Sequence, residues 1–328
     1  MQIHSMKNNL GSQREFMILI IVAVMFAVMC FASPYFLSAE NLLAVLLGLA
    51  VEAILAVGMV NLMVSGGFDM SVGSIVALSG GIAALLIKLD APVVFAILGG
   101  LGVGALVGFI NGFTVAKLGI TPFVTTLATQ SMCRGLVLVI MDGKNISNLP
   151  DSFTWLGQSK LGMVQLPVVF AIILVVVGDI LLRKARFFRQ NYYIGGNEKA
   201  AKLSGIHVER MKIRNYIIMG ILAAFSGIVL TARLGSASTT AGVGMEFKVI
   251  TAVIIGGASL KGGEGTVIGA FLGCVLMAII ANAMTLLNVS VYWQTFVTGL
   301  TLLIAVLIDR FGMSRKSVLT GTLRRKTV

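Results

Sequence analysis

Glu52, Asn61, Asp69, Asn111, Gln130, Arg134, Glu246 and Asn282 fall within or beside long apolar runs. Charged groups at membrane depth are costly and usually face protein or a water-filled cavity. Arg134 and Glu52 read as the deepest charges. Two accounts fit the set: structural ion pairs and snorkelling side chains, or a polar lining for a hydroxylated solute. Asp69 and Asp179 lie close to the ends of apolar runs, where solvated or capping roles fit. Covalent and metal chemistry has little to work with. The chain holds no GxxxxGKS/T phosphate loop, no HExxH and no GxSxG. Its 2 histidines, His4 and His207, lie outside the apolar runs. No catalytic or metal-ligating set is expected. If the chain moves a solute uphill, the energy must come from an ion gradient or another subunit.

The elements that carry these groups follow from composition. The chain has 328 residues, 57% hydrophobic and 12% charged, with mean hydropathy +0.98. A soluble domain runs near about a quarter charged. This composition points to an all-α membrane protein of several spans. Glycine is abundant at 38 against 5 prolines, which suits closely packed helices. Apolar runs occur near 16–32, 42–63, 72–87, 93–115, 122–141, 164–182, 214–233, 246–256, 266–287 and 291–308. They give about ten spans, of which the third and eighth are short or broken. The first resembles a signal peptide but is long for one, and Pro34 follows it at once; an uncleaved anchor is expected. Cys30, Cys133 and Cys274 sit in apolar runs as small buried hydrophobes.

The net charge is +12. The basic residues lie between spans rather than among solvated aromatics, so they report topology, not nucleic-acid binding. With a cytoplasmic N-terminus and every run crossing, only Lys88, Lys144, Lys160, Arg233 and Lys248 fall outside, and Arg134 lies within a span. Both termini and residues 183–213 then face the cytoplasm, and 142–163 the periplasm. No linker divides the chain, so 1–328 reads as one membrane domain. Its basic tail, 309–328, fits topology and attraction to membrane lipid.

Gly100, Gly104, Gly108 and Gly112 recur every four residues, as do Gly265, Gly269 and Gly273. That spacing lets backbones approach on one helix face. Tight packing or a gating role would both use it, and spans four and nine are expected to be central rather than lipid-facing. Residues 64–81 and 239–265 resemble each other. Each has a Gly-rich break, a Met beside an acid, and a short apolar run to a Gly-Gly pair. The breaks fall on opposite sides, as in an inverted repeat pairing spans two to five with seven to ten. Interrupted spans in corresponding halves point to a transport pathway.

One polar stretch remains, YYIGGNEKAAKLSGIHVERMKIRNY at 192–216. Gly195 and Gly196 break the chain, Asn197 suits an N-cap, and Glu198 sits in the first turn. Gly205 suits the C′ position. Ala200, Leu203, Ser204 and His207 share one face. Ala200 and Ala201 are small where a docked helix would lie close to a partner. The stretch is either a docking surface or a solvated connector.

IGGNEKAAKLSGIHVERMKI, GGFDMSVGS, TPFVTTLAT and VITAVIIGGASLKGGEGTVIGAFLG occur in order along roughly residues 16–310. They resemble the permease subunits of ribose-type ABC sugar importers. The resemblance implies a multi-pass protein of the bacterial inner membrane that passes a ribose-like monosaccharide. It implies no cofactor on this chain, with ATP and magnesium on a partner ABC ATPase. It further implies a periplasmic sugar-binding protein and a second permease copy, identical or paralogous. Residues 183–213 would be the coupling loop, with Gly195, Gly196, Asn197, Glu198, Ala200, Ala201, Leu203, Ser204 and Gly205 meeting the ATPase. Phe68 and Met70 flank Asp69 where many relatives carry Ile and Leu. The alternatives are an ion-coupled secondary transporter, a branched-chain amino-acid permease of the wider superfamily, and a non-transport scaffold or membrane enzyme.

Overall fold

The computed structural model describes the backbone of residues 2–324 and the side chains of 15–290 and 292–310. Most of the basic tail at 309–328 therefore lies outside the described side chains. The helices are α1 (Gln2–Ala32), α2 (Ala39–Val64), α3 (Val72–Lys88), α4 (Val93–Lys117), α5 (Pro122–Ile140) and α6 (Asp151–Gln158). A two-stranded antiparallel hairpin follows, β1 (Lys160–Leu161) and β2 (Val164–Gln165). Then come α7 (Leu166–Lys184), α8 (Arg186–Gly196), α9 (Glu198–Leu203), α10 (Val208–Leu234), α11 (Met245–Ile255), α12 (Val267–Leu286) and α13 (Val291–Arg324).

Among the described residues, 8 helices are long and apolar enough to cross a membrane. The other two apolar runs form α3 and α11, at 17 and 11 residues. At about 1.5 Å per residue α11 reaches roughly half-way through the hydrocarbon. The fold is an all-α, multi-pass membrane protein. Two elements at the bundle's ends, α6 and α8, are too short and polar to register as spans.

The core surrounds α2 and α10. Leu49 to Val64 of α2 are buried almost without interruption, as α7, α10, α11 and α12 pack around them. α10 in turn packs on α3 and α4. A helix apolar all round is what a buried position in a bundle demands.

The glycine ladder on α4 lies at its crossing with α10. A Cβ at Gly104 would come within 2.3 Å of the Gly220 carbonyl, and one at Gly108 within 2.3 Å of the Tyr216 carbonyl. On α12, Gly273 meets the Ala252 carbonyl of α11 in the same way. The expectation that the fourth span is central holds for one face only. One face of α4 is buried, but Phe95, Leu98, Leu106, Phe109, Ile110 and Phe113 on the other are exposed. Glycine spacing reports one close contact and says nothing of the opposite face.

The Lys- and Arg-rich segment 183–213 lies at one end of the bundle, the basic end. The 141–165 segment lies at the far end, where Lys88 donates to the Asn148 carbonyl and Ile146 bridges to Ala237. α3 runs beside α10 toward the far end, with Val76 against Gly227 and Gly80 against Thr231. α11 runs toward the basic end, antiparallel to α12, with Ala252 against Gly273 and Gly256 against Gly269. The two short helices thus point in opposite directions, and their N-termini face each other within the bundle.

Candidate functional site

The breaks before α3 and α11 meet. A Cβ at Gly73 would come within 2.1 Å of the Gly242 carbonyl, and one at Gly242 within 2.2 Å of the Gly73 carbonyl. Only glycine allows this approach, and Gly242 also has a positive φ of 71°. Both helix N-termini bring partial positive charge to the contact.

Each half-helix carries an acid at this end. Asp69 is fully buried. Its Oδ1 accepts from the Ser71 amide at 2.7 Å and the Ser71 hydroxyl at 2.5 Å. Asn111 of α4 donates to Ser71 Oγ at 3.0 Å and to Asp69 Oδ2 at 3.4 Å. Asp69 therefore orders the turn that leads into α3, whose N-cap residue is Ser71, and it is sealed from solvent. The expectation that Arg134 and Glu52 are the deepest charges needs correction: both are only partly buried, whereas Asp69 is fully buried. The break is pinned further by Thr126 of α5, which accepts from the Met70 amide, and by Tyr216, which donates to the Phe68 carbonyl. Glu246, in the first turn of α11, is buried and accepts from Gln130 of α5 at 2.9 Å.

Arg134 ties the two breaks together. Its Nη1 donates to the carbonyls of Thr239 and Ala241, both at 2.9 Å, and its Nη2 reaches the Gly73 carbonyl at 3.4 Å. A planar guanidinium presents five donors in a fixed, extended fork, whereas an ammonium offers three from one compact point. Arg134 and Glu52, the two charges read as deepest in the sequence, do not pair with each other among the described residues. Glu52 lies 3.7 Å from Lys248 instead.

Toward the far end, a cavity of about 240 Å³ opens between α2, α12 and α13. Glu52, Lys248, Asn282, Thr285 and Thr298 supply polar groups to an otherwise small-residue and apolar wall. Asn282 and Asn41 exchange hydrogen bonds at 2.7 and 3.2 Å and lock α12 to α2.

At the basic end, Asn197 caps α9 by accepting from the Ala200 amide at 3.0 Å. The helix closes with Gly205 at φ 82° and an Ile206 amide bonded to the Ala201 carbonyl. The opening glycines behave differently from expectation. Gly195 and Gly196 complete α8, and the chain breaks at Asn197. Ala201, expected against a partner, is 3% exposed and packs with Ile194, Val208 and Met211 of its own chain. The opposite face of α9 is bare. Ala200, Ser204 and His207 are exposed, and Leu203 is 91% exposed. Glu198 holds the helix in place through Lys212 at 2.7 Å and Lys202 at 3.1 Å. Partial burial of the Glu198 carboxyl opposes ionisation, but these two lysines outweigh it and hold its pKa below the usual range.

Comparison with known proteins places these features in a family. Residues 41–306 match the family described as branched-chain amino acid transport system / permease component. The chain is 37% identical over 308 residues to the ribose import permease protein of Haemophilus influenzae, covering 93% of this chain and 94% of that protein. It belongs to the ribose-type ABC permeases. The ribose import permease protein of Bacillus subtilis is 40% identical over 90% of both chains. The L-arabinose transport system permease protein of Escherichia coli is 36% identical over 92% of both.

The permease fold thus separates the polar residues singled out in the sequence into distinct places. Asp69 and Asn111 hold the first break, while Gln130, Arg134 and Glu246 hold the second. Glu52 and Asn282 line the far-end cavity. Asn61 belongs to none of these and is bonded to Asn191 and Asn215 near the basic end. Sequence reasoning missed Ser71, Thr126, Tyr216 and Lys248. Ser71 could have been found as a cap signal two residues after Asp69. Asp179 accepts from the Ile268 amide at the start of α12 and pairs with Arg183 at 2.8 Å, a capping role.

Proposed function

We propose that this permease is the membrane subunit of an ATP-driven importer of a pentose or related monosaccharide. The observation that carries the reading is the match, over nine-tenths of the chain, to permeases named for ribose and for L-arabinose. The family description names branched-chain amino acids, but these relatives are named for sugars. The chain has no phosphate loop, so ATP and its magnesium are bound and hydrolysed on a separate ATPase. A periplasmic binding protein delivers the sugar, and a second permease copy completes the pathway.

The basic end faces the cytoplasm of a bacterial inner membrane, and both termini share that side. The Lys and Arg distribution supports this orientation. The bare face of α9, with Leu203 at its centre, is the ATPase-docking surface. Leu203 presents about the apolar area of a whole side chain to a partner's groove. The far-end cavity, with Glu52, Lys248, Asn282, Thr285 and Thr298, is the part of the pathway open to a hydroxylated solute. Its 240 Å³ is below the roughly 300–1,000 Å³ of drug-sized sites and suits a small ligand. Asp69, Asn111, Gln130, Arg134 and Glu246 shape the pathway by holding the half-helices rather than by lining it.

The orientation is tested by single cysteines at Lys199 and Lys160 in a cysteine-free background. Both side chains are exposed. An impermeant thiol reagent added to cells with a permeabilised outer membrane is expected to label position 160 and spare 199. Equal labelling would refute the topology. The function is tested by reconstitution: alone, the chain should neither hydrolyse ATP nor concentrate ribose or arabinose.

A further inference from the structure

Near the basic end, α2, α8 and α10 meet in a closed ring of buried asparagines. Asn191 of α8 donates to Asn61 Oδ1 at 2.7 Å. Asn61 donates to Asn215 Oδ1 at 3.1 Å, and Asn215 donates back to Asn191 Oδ1 at 2.9 Å. All three are buried. Each amide donates one N–H to the next, so every ring carbonyl is satisfied within the ring, and Asn215 Oδ1 accepts a further, longer bond from Arg214 at 3.4 Å. Buried amides are costly unless bonded, and apolar side chains would fill the same space more cheaply. What the ring adds is direction: three bonds fix the relative position of three helices, where apolar contact would let them slide.

The neighbours of the ring give that rigidity a use. Tyr192, the next residue on α8, donates to the Gly265 carbonyl at 2.7 Å. Gly195 sits so close to the other chain segments that a Cβ would lie 2.0 Å from the Val64 carbonyl and 2.4 Å from the Gly263 amide. Gly263 in turn donates to the Val64 carbonyl at 2.9 Å. Val64 ends α2 and leads straight into the break before α3. Residues 256–266 run from the end of α11 to α12. One helix, α8, therefore touches both the end of α2, from which the chain enters the break before α3, and the loop that joins α11 to α12. Asn197 alone separates it from α9 and its bare Leu203 face.

We propose that the Asn61–Asn191–Asn215 ring is the rigid joint through which displacement of α8 and α9 reaches both half-helices. The three asparagines are positioning residues that touch no solute. The proposal rests on the reading of α9 as the ATPase-docking element.

The test uses the importer assembled with its ATPase and binding protein in proteoliposomes, with ATP hydrolysis and sugar uptake measured together. Asn191→Leu is expected to retain the ATPase and its hydrolysis while uptake per ATP falls by about fivefold or more, the lower range of typical coupling effects. This variant leaves Asn61 and Asn215 each short of a partner, which lowers stability by itself. The triple variant Asn61→Leu, Asn191→Leu, Asn215→Leu removes every orphaned amide. It is expected to regain thermal stability and to keep the ATPase, but not to regain coupling. Wild-type uptake per ATP in either variant overturns the proposal, because the ring would then be packing alone. Leu203→Asp separates this from the docking reading: it should lose the ATPase itself, whereas the ring variants keep it. A Leu203→Asp chain that retains the ATPase and full transport refutes the docking reading, and the ring's role in it falls too.

Discussion

Arg134→Leu is expected to reduce sugar uptake on the order of tenfold or more while the chain still inserts in the membrane. The guanidinium holds the Thr239 and Ala241 carbonyls of one break and reaches the Gly73 carbonyl of the other. Hydrogen bonds to a charged group contribute about 1.5–3 kcal/mol each, and leucine replaces none of them. The freed carbonyls lie where the half-helix N-termini meet, with little water to satisfy them. A factor of ten corresponds to about 1.4 kcal/mol, less than one such bond. Arg134→Lys should recover only part of the uptake, because the compact ammonium lacks the separated nitrogens with which the guanidinium reaches both breaks. Insertion is read from the membrane fraction and uptake from labelled sugar in cells. Wild-type uptake by Arg134→Leu would mean that the link between the breaks is dispensable.

The second large effect belongs to Leu203. Leu203→Asp should abolish co-purification of the ATPase and sugar-stimulated ATP hydrolysis, with thermal stability almost unchanged. Leu203 is 91% exposed in the isolated chain, so the fold does not depend on it. Exposed substitutions usually shift stability by less than about 0.5 kcal/mol. Burying a leucine against a partner contributes about 1.5–3 kcal/mol, so its loss should weaken docking by roughly ten- to a hundredfold. Ala201→Arg is a poorer probe, because Ala201 is packed against Ile194, Val208 and Met211 and the arginine would dislodge α9 from its own chain. Unchanged ATPase retention in Leu203→Asp would leave α9 as a solvated connector.

The sequence announced the spans because a bilayer demands long apolar helices, and that demand leaves a hydropathy record. It announced α9 because caps have their own residue types, and Asn197 and Gly205 are both in place. It marked the half-helices through glycine-rich breaks beside acids. What it hid were pairings between distant segments. Arg134 bonds to backbone carbonyls, which every residue carries and no composition reveals. Asn61 looked like a pathway group because it sits in an apolar run, yet its partners are asparagines on α8 and α10. Asn191 and Asn215 lie in a polar stretch where an asparagine draws no notice. The one local hint was helical spacing, since Asn191 and Ile194 are the buried positions of α8. Glu52 and Lys248 are brought together only when α11 folds back along α2.

The central claim is that this chain is a sugar permease powered by a separate ATPase. Labelled ribose and arabinose uptake into proteoliposomes tests it most directly. The permease is reconstituted with its ATPase, and binding protein and sugar are supplied at the face away from residues 183–213. ATP and magnesium are supplied at the face that carries them. One of the two sugars is expected to accumulate only when ATP, the ATPase and the binding protein are all present. Accumulation by the permease alone, driven by a proton or sodium gradient without ATP, would contradict the account.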